Sequence, residues 1–237
     1  MLRKTIRYLA SFLFKLFAKI EAIGLENVPR RGGCILASNH LSRLDPPLVF
    51  ILIEREDMTA LVADTYRRSP LIRPLVNALG GIWLHREEAD IHALREARNF
   101  LHNGGLLGIA LEGTRSRSGA LTRAKTGAAY LADKAAVTVV PAAIYGTETA
   151  MRQLLRFRRP KIVIQFGKPI HLPPVTRADR ENDLQRNTDE IMCRIAAMLP
   201  PEYHGAYGSH PVLLALMNPT AEPEMALTMQ PELQTGR

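Results

Sequence analysis

The chain has 237 residues, 46% of them hydrophobic, with 16 glycines and 16 prolines, which suits one α/β domain with short appendages. A formal charge of +8 calls for an anionic partner, namely nucleic acid, an acidic membrane surface or a phosphorylated ligand. Aromatics at only 6%, without a stacking or zinc pattern, count against nucleic acid. Cys34 and Cys193 are far apart and lack metal-ligand or redox spacing, so both read as buried thiols in a reducing compartment, and no metal site is expected.

Residues 1–20 carry Arg3, Lys4, Arg7, Lys15 and Lys19, with no acid before Glu21. Wound at about 100° per residue, these fall on one side with Ser11, and Leu2, Ile6, Leu9, Leu13, Leu16, Phe17 and Ile20 fall on the other. Such a basic amphipathic helix is of the kind that lies in a membrane interface. The longest uncharged run, Tyr8 to Phe14, is far short of the roughly 20 residues a spanning helix needs. The expectation is a peripheral or monotopic protein on the cytoplasmic face of a membrane. Two other readings compete. A signal peptide would share the basic start, but Lys15 and Lys19 interrupt its apolar segment. Alternatively, the apolar face packs on the domain.

Beyond this helix the chain alternates apolar runs with helical periodicity. Strands are expected at 33–38, 58–63, 81–85, 106–111, 137–145 and 161–166. Helices are expected at 46–54, 70–79, 89–103, 124–134 and about 177–198. The alternation predicts a mostly parallel sheet flanked by helices in one domain, residues 21–200, with sites at the carboxyl ends of strands. Residues 201–237 form a C-terminal extension whose polar end, Pro219 to Arg237, reads as disordered.

Three of these strand ends carry chemistry. Asn39-His40-Leu41-Ser42-Arg43-Leu44-Asp45 places a base and a carboxylate after the strand at 33–38. An aspartate beside a histidine can fix its tautomer and stabilise the imidazolium formed in general-base catalysis. Asp45 also precedes Pro46 and Pro47, where it reads as the N-cap of the next helix, with one carboxylate oxygen left for His40 Nδ1. Taken alone, such a pair is more often capping plus chance. Arg86 follows the strand at 81–85, and Glu112-Gly113-Thr114-Arg115-Ser116 follows the strand at 106–111. Arginines, hydroxyls and a glycine of this kind make a phosphate pocket or a solvated turn. Arg67, Arg68 and Arg73 are a solvated surface or further phosphate contacts. The stretch from Gly119 to Thr126 is one residue from a P-loop, but it does not leave a strand directly.

Together the blocks resemble those of the glycerol-phosphate/lysophosphatidate acyltransferase family. Residues 39–45 look like its His-x4-Asp block, and Gly80-Gly81-Ile82-Trp83-Leu84-His85-Arg86 is similar to its Gly/aromatic-x-x-Arg block. Glu112-Gly113-Thr114-Arg115 matches its Glu-Gly-Thr-Arg block, and Val139 to Ile144 its proline-containing strand. Lys125 and Gly127 fall where the family has Lys and Gly before a helix. Order and spacing agree from about residue 20 to 170. The chain departs at His85, where the family often has Asp, and at Ala124, where it has Phe.

The resemblance implies acyl transfer from an acyl-CoA or acyl-carrier-protein thioester to a hydroxyl of a phosphorylated glycerol lipid. The acceptor it implies first is 1-acyl-sn-glycerol 3-phosphate, giving phosphatidate; glycerol 3-phosphate or another lyso-lipid is the alternative. It implies His40 as general base oriented by Asp45. Arg86, Glu112, Gly113, Thr114 and Arg115 would lie at the acceptor phosphate, with Asn39, Ser42 and Lys125 as additional site residues. Glu112 would orient an arginine or a hydroxyl rather than meet the phosphate. Helices 46–54 and 70–79 would line an acyl tunnel. No cofactor is implied beyond the thioester co-substrate, and the partners are a membrane lipid surface and no nucleic acid. The different-class alternative is a basic nucleic-acid- or membrane-binding protein without catalysis, whose affinity would fall steeply with salt.

Overall fold

Strand-forming runs separated by helices pair into one sheet in the computed structural model, which describes residues 2–85, 90–116 and 118–218. The strands are β1 (Lys19–Ile23), β2 (Cys34–Ser38), β3 (Met58–Ala63), β4 (Ile82–Leu84), β5 (Leu106–Ala110), β6 (Thr138–Tyr145) and β7 (Lys161–Phe166). They lie in the order β1-β7-β6-β2-β5-β3-β4, every pair parallel except β6 with β7. The helices are α1 (Leu2–Phe17), α2 (Asp45–Leu52), α3 (Ile72–Ala78), α4 (Ile91–His102), α5 (Gly127–Ala135), α6 (Ala150–Leu154), α7 (Arg180–Ala196) and α8 (Pro211–Met217). This is the expected mostly parallel sheet flanked by helices. Arg86, Ala89 and the tail from Pro219 lie outside the described residues.

Both faces of the sheet are covered, which explains why the central strands read as continuous apolar runs. Side chains alternate across β2, so Ile35 and Ala37 join one core with α4, α5 and α7, and Cys34 and Leu36 join the other with α1 and α2. Both thiols are buried and free. Burial raises the pKa of each, that of Cys193 to about 11, which keeps them protonated and unreactive at neutral pH.

Three elements were not expected. β1 is a largely exposed edge strand whose register comes from β7, Lys19 against Lys161, so its signal lies in a distant segment rather than in its own pattern. α6 and α8 are too short for periodicity to mark.

The basic side of α1 divides. Arg3 donates to Glu56 O and Leu79 O, and Arg7 donates to Arg55 O at 2.8 Å while lying 4.8 Å from the Phe50 ring centroid. Ile6, Ala10 and Phe14 pack beside them on the core, leaving Tyr8, Leu9, Phe12, Leu13, Leu16 and Phe17 exposed. The helix therefore docks through Arg3, Arg7 and a narrow apolar seam, and keeps a second apolar face outward. No helix among the described residues is long and apolar enough to cross a membrane.

At the amino ends of the strands, buried Arg55 joins three loops. Its guanidinium donates to Pro29 O (2.8 Å), Gly32 O (3.1 Å) and Gly104 O (2.7 Å), and makes two bonds to the Asp57 carboxylate (2.9 and 2.6 Å). Arg55→Ala strands those carbonyls and should cost about 3 kcal/mol in denaturant unfolding. The Arg55 hydrogen bond holds the Asp57 carboxyl below its usual value. That contribution is complete above the unfolded carboxyl pKa of about 3.9 and disappears as pH falls through the lower folded value. The variant should therefore show a shallower loss of stability on acidification.

Candidate active site

Two neighbouring strands open the site. From β2 the chain crosses by α2 to β3 on one face of the sheet, and from β5 it crosses by α5 to β6 on the other. The connections diverge above the carboxyl ends of β2 and β5 and leave a crevice there. Ser38 pairs with Ala110, so His40 and Glu112, each two residues further on, emerge side by side.

Asp45 is buried and both oxygens of its carboxylate accept hydrogen bonds. Oδ2 accepts from His40 Nδ1 (2.9 Å), Leu41 N (2.8 Å) and Ser42 N (2.8 Å), and Oδ1 accepts from the Thr147 hydroxyl (2.6 Å). This corrects the capping expectation. Asp45 is the first residue of α2, Pro46 and Pro47 offer no N–H to cap, and the Leu48 N–H goes to Leu44 O (3.1 Å). The carboxylate serves the preceding turn instead. Because Asp45 acts as acceptor throughout, His40 donates through Nδ1, and its Nε2 carries the free lone pair.

The segment after β5 clasps His40 by its main chain. Glu112 Oε1 accepts from His40 N (3.0 Å), and His40 O accepts from Ser116 N (2.9 Å). Glu112 Oε2 accepts from the Thr122 N–H (2.9 Å) and hydroxyl (2.7 Å). Glu112 is thus buried with both oxygens engaged, one on His40 and one on the Thr122 N–H and hydroxyl, in line with the expectation that it orients a hydroxyl. Gly113 turns at φ 69° beneath the Lys125 side chain, whose Cδ would lie 3.2 Å from an added Cβ.

His40 lines two cavities. One, about 820 Å³, is also lined by Tyr66, Thr114, Arg115, Ser116 and Thr122. The other, about 230 Å³ and largely apolar, is lined by Pro46, Pro47 and Phe50 of the α2 region and by Ile72, Leu75, Val76 and Leu79 of the α3 region. Tyr66 borders both. Arg43 stands at the apolar one.

The additional sequence candidates are bonded within and around the crevice turns. The Asn39 amide makes two 2.8 Å bonds with the Ile144 main chain, stitching β2 to β6. The Ser42 hydroxyl accepts from Leu44 N (3.3 Å) within the turn. The Lys125 N–H is tied to Leu111 O (2.9 Å) while its stem covers Gly113. His85, at the departure from the family pattern, has a carboxylate supplied from another element: its Nδ1 meets Asp64, and its N–H donates to Asp90 (3.0 Å).

Sequence reasoning missed Thr147, Thr122, Tyr66 and the segment after Pro200. That last segment binds the 112–125 loop from outside. Leu121 N donates to Tyr203 O (2.8 Å), Leu121 O accepts from Ala206 N (2.9 Å), and the Tyr207 hydroxyl accepts from Ala124 N (3.2 Å). Gly205, at φ 48°, fits because a Cβ there would lie 2.2 Å from Leu121 O. The signal available was the turn glycine between two tyrosines, but nothing local says what it touches. A Cys-His-Asp grouping away from the crevice, Cys193 Sγ 3.3 Å from His210 Nδ1 with Asp189 3.8 Å from Nε2, has its thiol fully buried and supports α8 rather than a nucleophile.

Gly205→Ala should therefore destabilise the protein by about 2 kcal/mol through strain and collision. Tyr207→Phe should cost about 1 kcal/mol through the unpaired Ala124 N–H. Hydrogen exchange should show faster opening at Leu121 and Ala124 in both variants. Protection equal to the parent protein would show that the outer segment does not hold the loop.

The acyltransferase family model matches residues 19–145, the stretch that contains every strand and turn of the crevice up to β6. The 1-acyl-sn-glycerol-3-phosphate acyltransferase of Borreliella burgdorferi is 29% identical over 180 residues, covering 75% of this chain and 72% of that protein. A probable enzyme of the same name from Mycoplasma pneumoniae is 26% identical, covering 76% and 72%. The crystal structure of the 1-acyl-sn-glycerophosphate acyltransferase from Thermotoga maritima superposes with a TM-score of 0.61 at 26% identity, over 81% of this chain and 77% of that one. With more than half its length matched by that family model, the chain belongs to the acyltransferase family and is an O-acyltransferase.

Proposed function

We propose that the protein transfers an acyl group from an acyl-CoA or acyl-carrier-protein thioester to the free hydroxyl of 1-acyl-sn-glycerol 3-phosphate, giving phosphatidate. The observation that carries this reading is that His40 lines both the polar cavity and the apolar one. A base at the seam between an anion-binding space and a hydrocarbon space suits a reaction between a phosphorylated acceptor and a fatty acyl thioester. The relatives named for that acceptor support the choice.

His40 Nε2 takes the proton of the acceptor hydroxyl as its oxygen attacks the thioester carbonyl. The Asp45 carboxylate stabilises the imidazolium that forms. The tetrahedral intermediate then expels the thiolate, which the imidazolium protonates, so an ester and a free thiol leave and the base is regenerated. A thioester is already activated, so no enzyme nucleophile is required. Arg115, which lines the polar cavity, together with Thr114 and Gly113, meets the acceptor phosphate, joined by Arg86 as the resemblance implies. The apolar pocket between α2 and α3 takes an acyl chain. In this reading the enzyme works at the cytoplasmic surface of a membrane and uses neither a cofactor nor nucleic acid; the outward apolar face of α1 supports the membrane part.

The assay is acyl transfer by purified protein against a panel of labelled donors and acceptors. His40→Ala should lower kcat by about a thousandfold, with a thermal midpoint near that of the parent. A variant retaining most of its rate removes His40 as the base. Arg115→Ala should raise the apparent KM for a phosphorylated acceptor by about tenfold and leave an unphosphorylated one unaffected. Val76→Trp should shift donor preference towards shorter acyl chains. An unchanged preference would move the acyl chain out of that pocket.

A further inference from the structure

The connection from β6 to β7 contains a phenylalanine that the fold has no internal reason to keep. α6 ends in a Schellman stop, with Arg158 N donating to Gln153 O (3.0 Å) and Phe157 N to Leu154 O (2.9 Å). The residue in the left-handed position of this stop is Phe157, at φ 55°. Glycine is the usual occupant there, because a Cβ is crowded by the neighbouring carbonyl. The Phe157 ring is fully exposed, and Leu155 (76%) and Met151 (60%) are largely so. Arg152, Arg156, Arg158 and Arg159 are exposed around them. A position that favours glycine and a surface that favours polar groups hold an aromatic instead, which points to a use outside the protein.

The fold says where that use lies. β7 runs antiparallel to β6, so this connection stands at the same end of the sheet as the carboxyl end of β2, the end that carries His40. It is also tied to the last turn of α1. Arg159 Nη2 donates to Lys15 O (2.7 Å) and Ala18 O (3.2 Å), and Lys19 N donates to Pro160 O (2.8 Å). Leu16 and Phe17 are exposed in that same turn, between the Lys15 and Ala18 carbonyls that Arg159 holds.

We infer that residues 150–160 form a second bilayer contact, in which Phe157, Leu155 and Met151 enter the apolar boundary of the leaflet and the surrounding arginines meet anionic headgroups. The inference rests on the proposed lipid-surface function for its choice of partner. Arginines alone would also suit an acidic protein. Protruding apolar side chains beside the outward apolar face of α1 fit a fluid apolar layer, which needs no complementary pocket. Two contacts, one on α1 and one on this connection, fix an orientation that a single helix lying in the interface leaves free. The end of the sheet that bears the crevice then faces the leaflet.

Phe157→Gly separates this role from folding. It relieves the left-handed strain, so the thermal midpoint should stay level or rise, while partition of the full chain onto phosphatidylcholine vesicles containing phosphatidylglycerol should fall about fivefold in flotation. Replacing Arg156 and Arg158 together by Gln should lower partition about 25-fold on the anionic vesicles, at about fivefold per arginine, and little on pure phosphatidylcholine. Phe157→Trp should be quenched by lipids brominated on their acyl chains, beyond the quenching of Trp83 in the parent protein. Vesicle binding within twofold of the parent in the Gly and Gln variants overturns the inference, as does the absence of added quenching in the Trp variant. Binding of an acidic carrier protein that these variants weaken while vesicle binding holds also overturns it. Transfer to a short-chain, water-dispersed acceptor should be unchanged in every variant. If the parent protein transfers no acyl group in that assay, the proposed function fails while the vesicle result stands by itself.

Discussion

The Asp45 carboxylate sets the geometry on which the crevice depends. Burying an anion is costly unless donors replace the lost water. Here four of them do so: two main-chain N–H groups, one hydroxyl and one imidazole. The Asp-Pro-Pro sequence makes this possible. Its prolines start α2 without supplying N–H groups that would draw the carboxylate forward, and the positive end of the helix still favours its charge. The turn from Leu41 to Leu44 folds back onto the acid, and the histidine ring is aligned as a consequence of that fold.

Alignment of the ring would achieve little if the main chain beneath it could move. His40 is held through its N–H by Glu112 and through its C=O by Ser116, so the histidine turn and the loop after β5 form one body. Glu112 extends that body to Thr122, and the segment 203–207 closes it from outside. Glu112 is therefore a support, and Arg115 is left to face the cavity from the loop it holds. The same division separates Asn39, used between strands, from His40 beside it.

What was legible in the sequence follows from the range of each signal. Central strands and the helices between them are local patterns, and among the described residues they fall within a few residues of the structure. The pairing of His40 with Asp45 was also legible, since five residues of turn restrict where the acid can reach. Thr147 was not, because its hydroxyl meets Asp45 only through the β2–β6 register, 102 positions away in the chain. β1 was hidden for the same reason, its partner lying beyond residue 160. The basic face of α1 misled because a helical wheel sorts residues by polarity. Arg3 and Arg7 instead satisfy main-chain carbonyls at the rim of the domain, and the long stems that carry their charge pack as apolar groups.

That arrangement joins α1 to the apolar cavity. Arg7 stacks on Phe50 and Arg3 bonds the carbonyl of Leu79, and the side chains of Phe50 and Leu79 both line the apolar cavity. The contacts that dock α1 are thus made on the wall of the pocket. A displacement of α1 would release Phe50 on one side and the α3 end on the other, opening the cavity to water. In the proposed reaction the acyl chain and the helix draw on the same apolar layer, so a leaflet that seats α1 also keeps the pocket closed around hydrocarbon. Phe50 is the residue through which the two would be coupled: it belongs to α2, which begins with Asp45, so the helix that lines the apolar cavity also positions the acid behind His40.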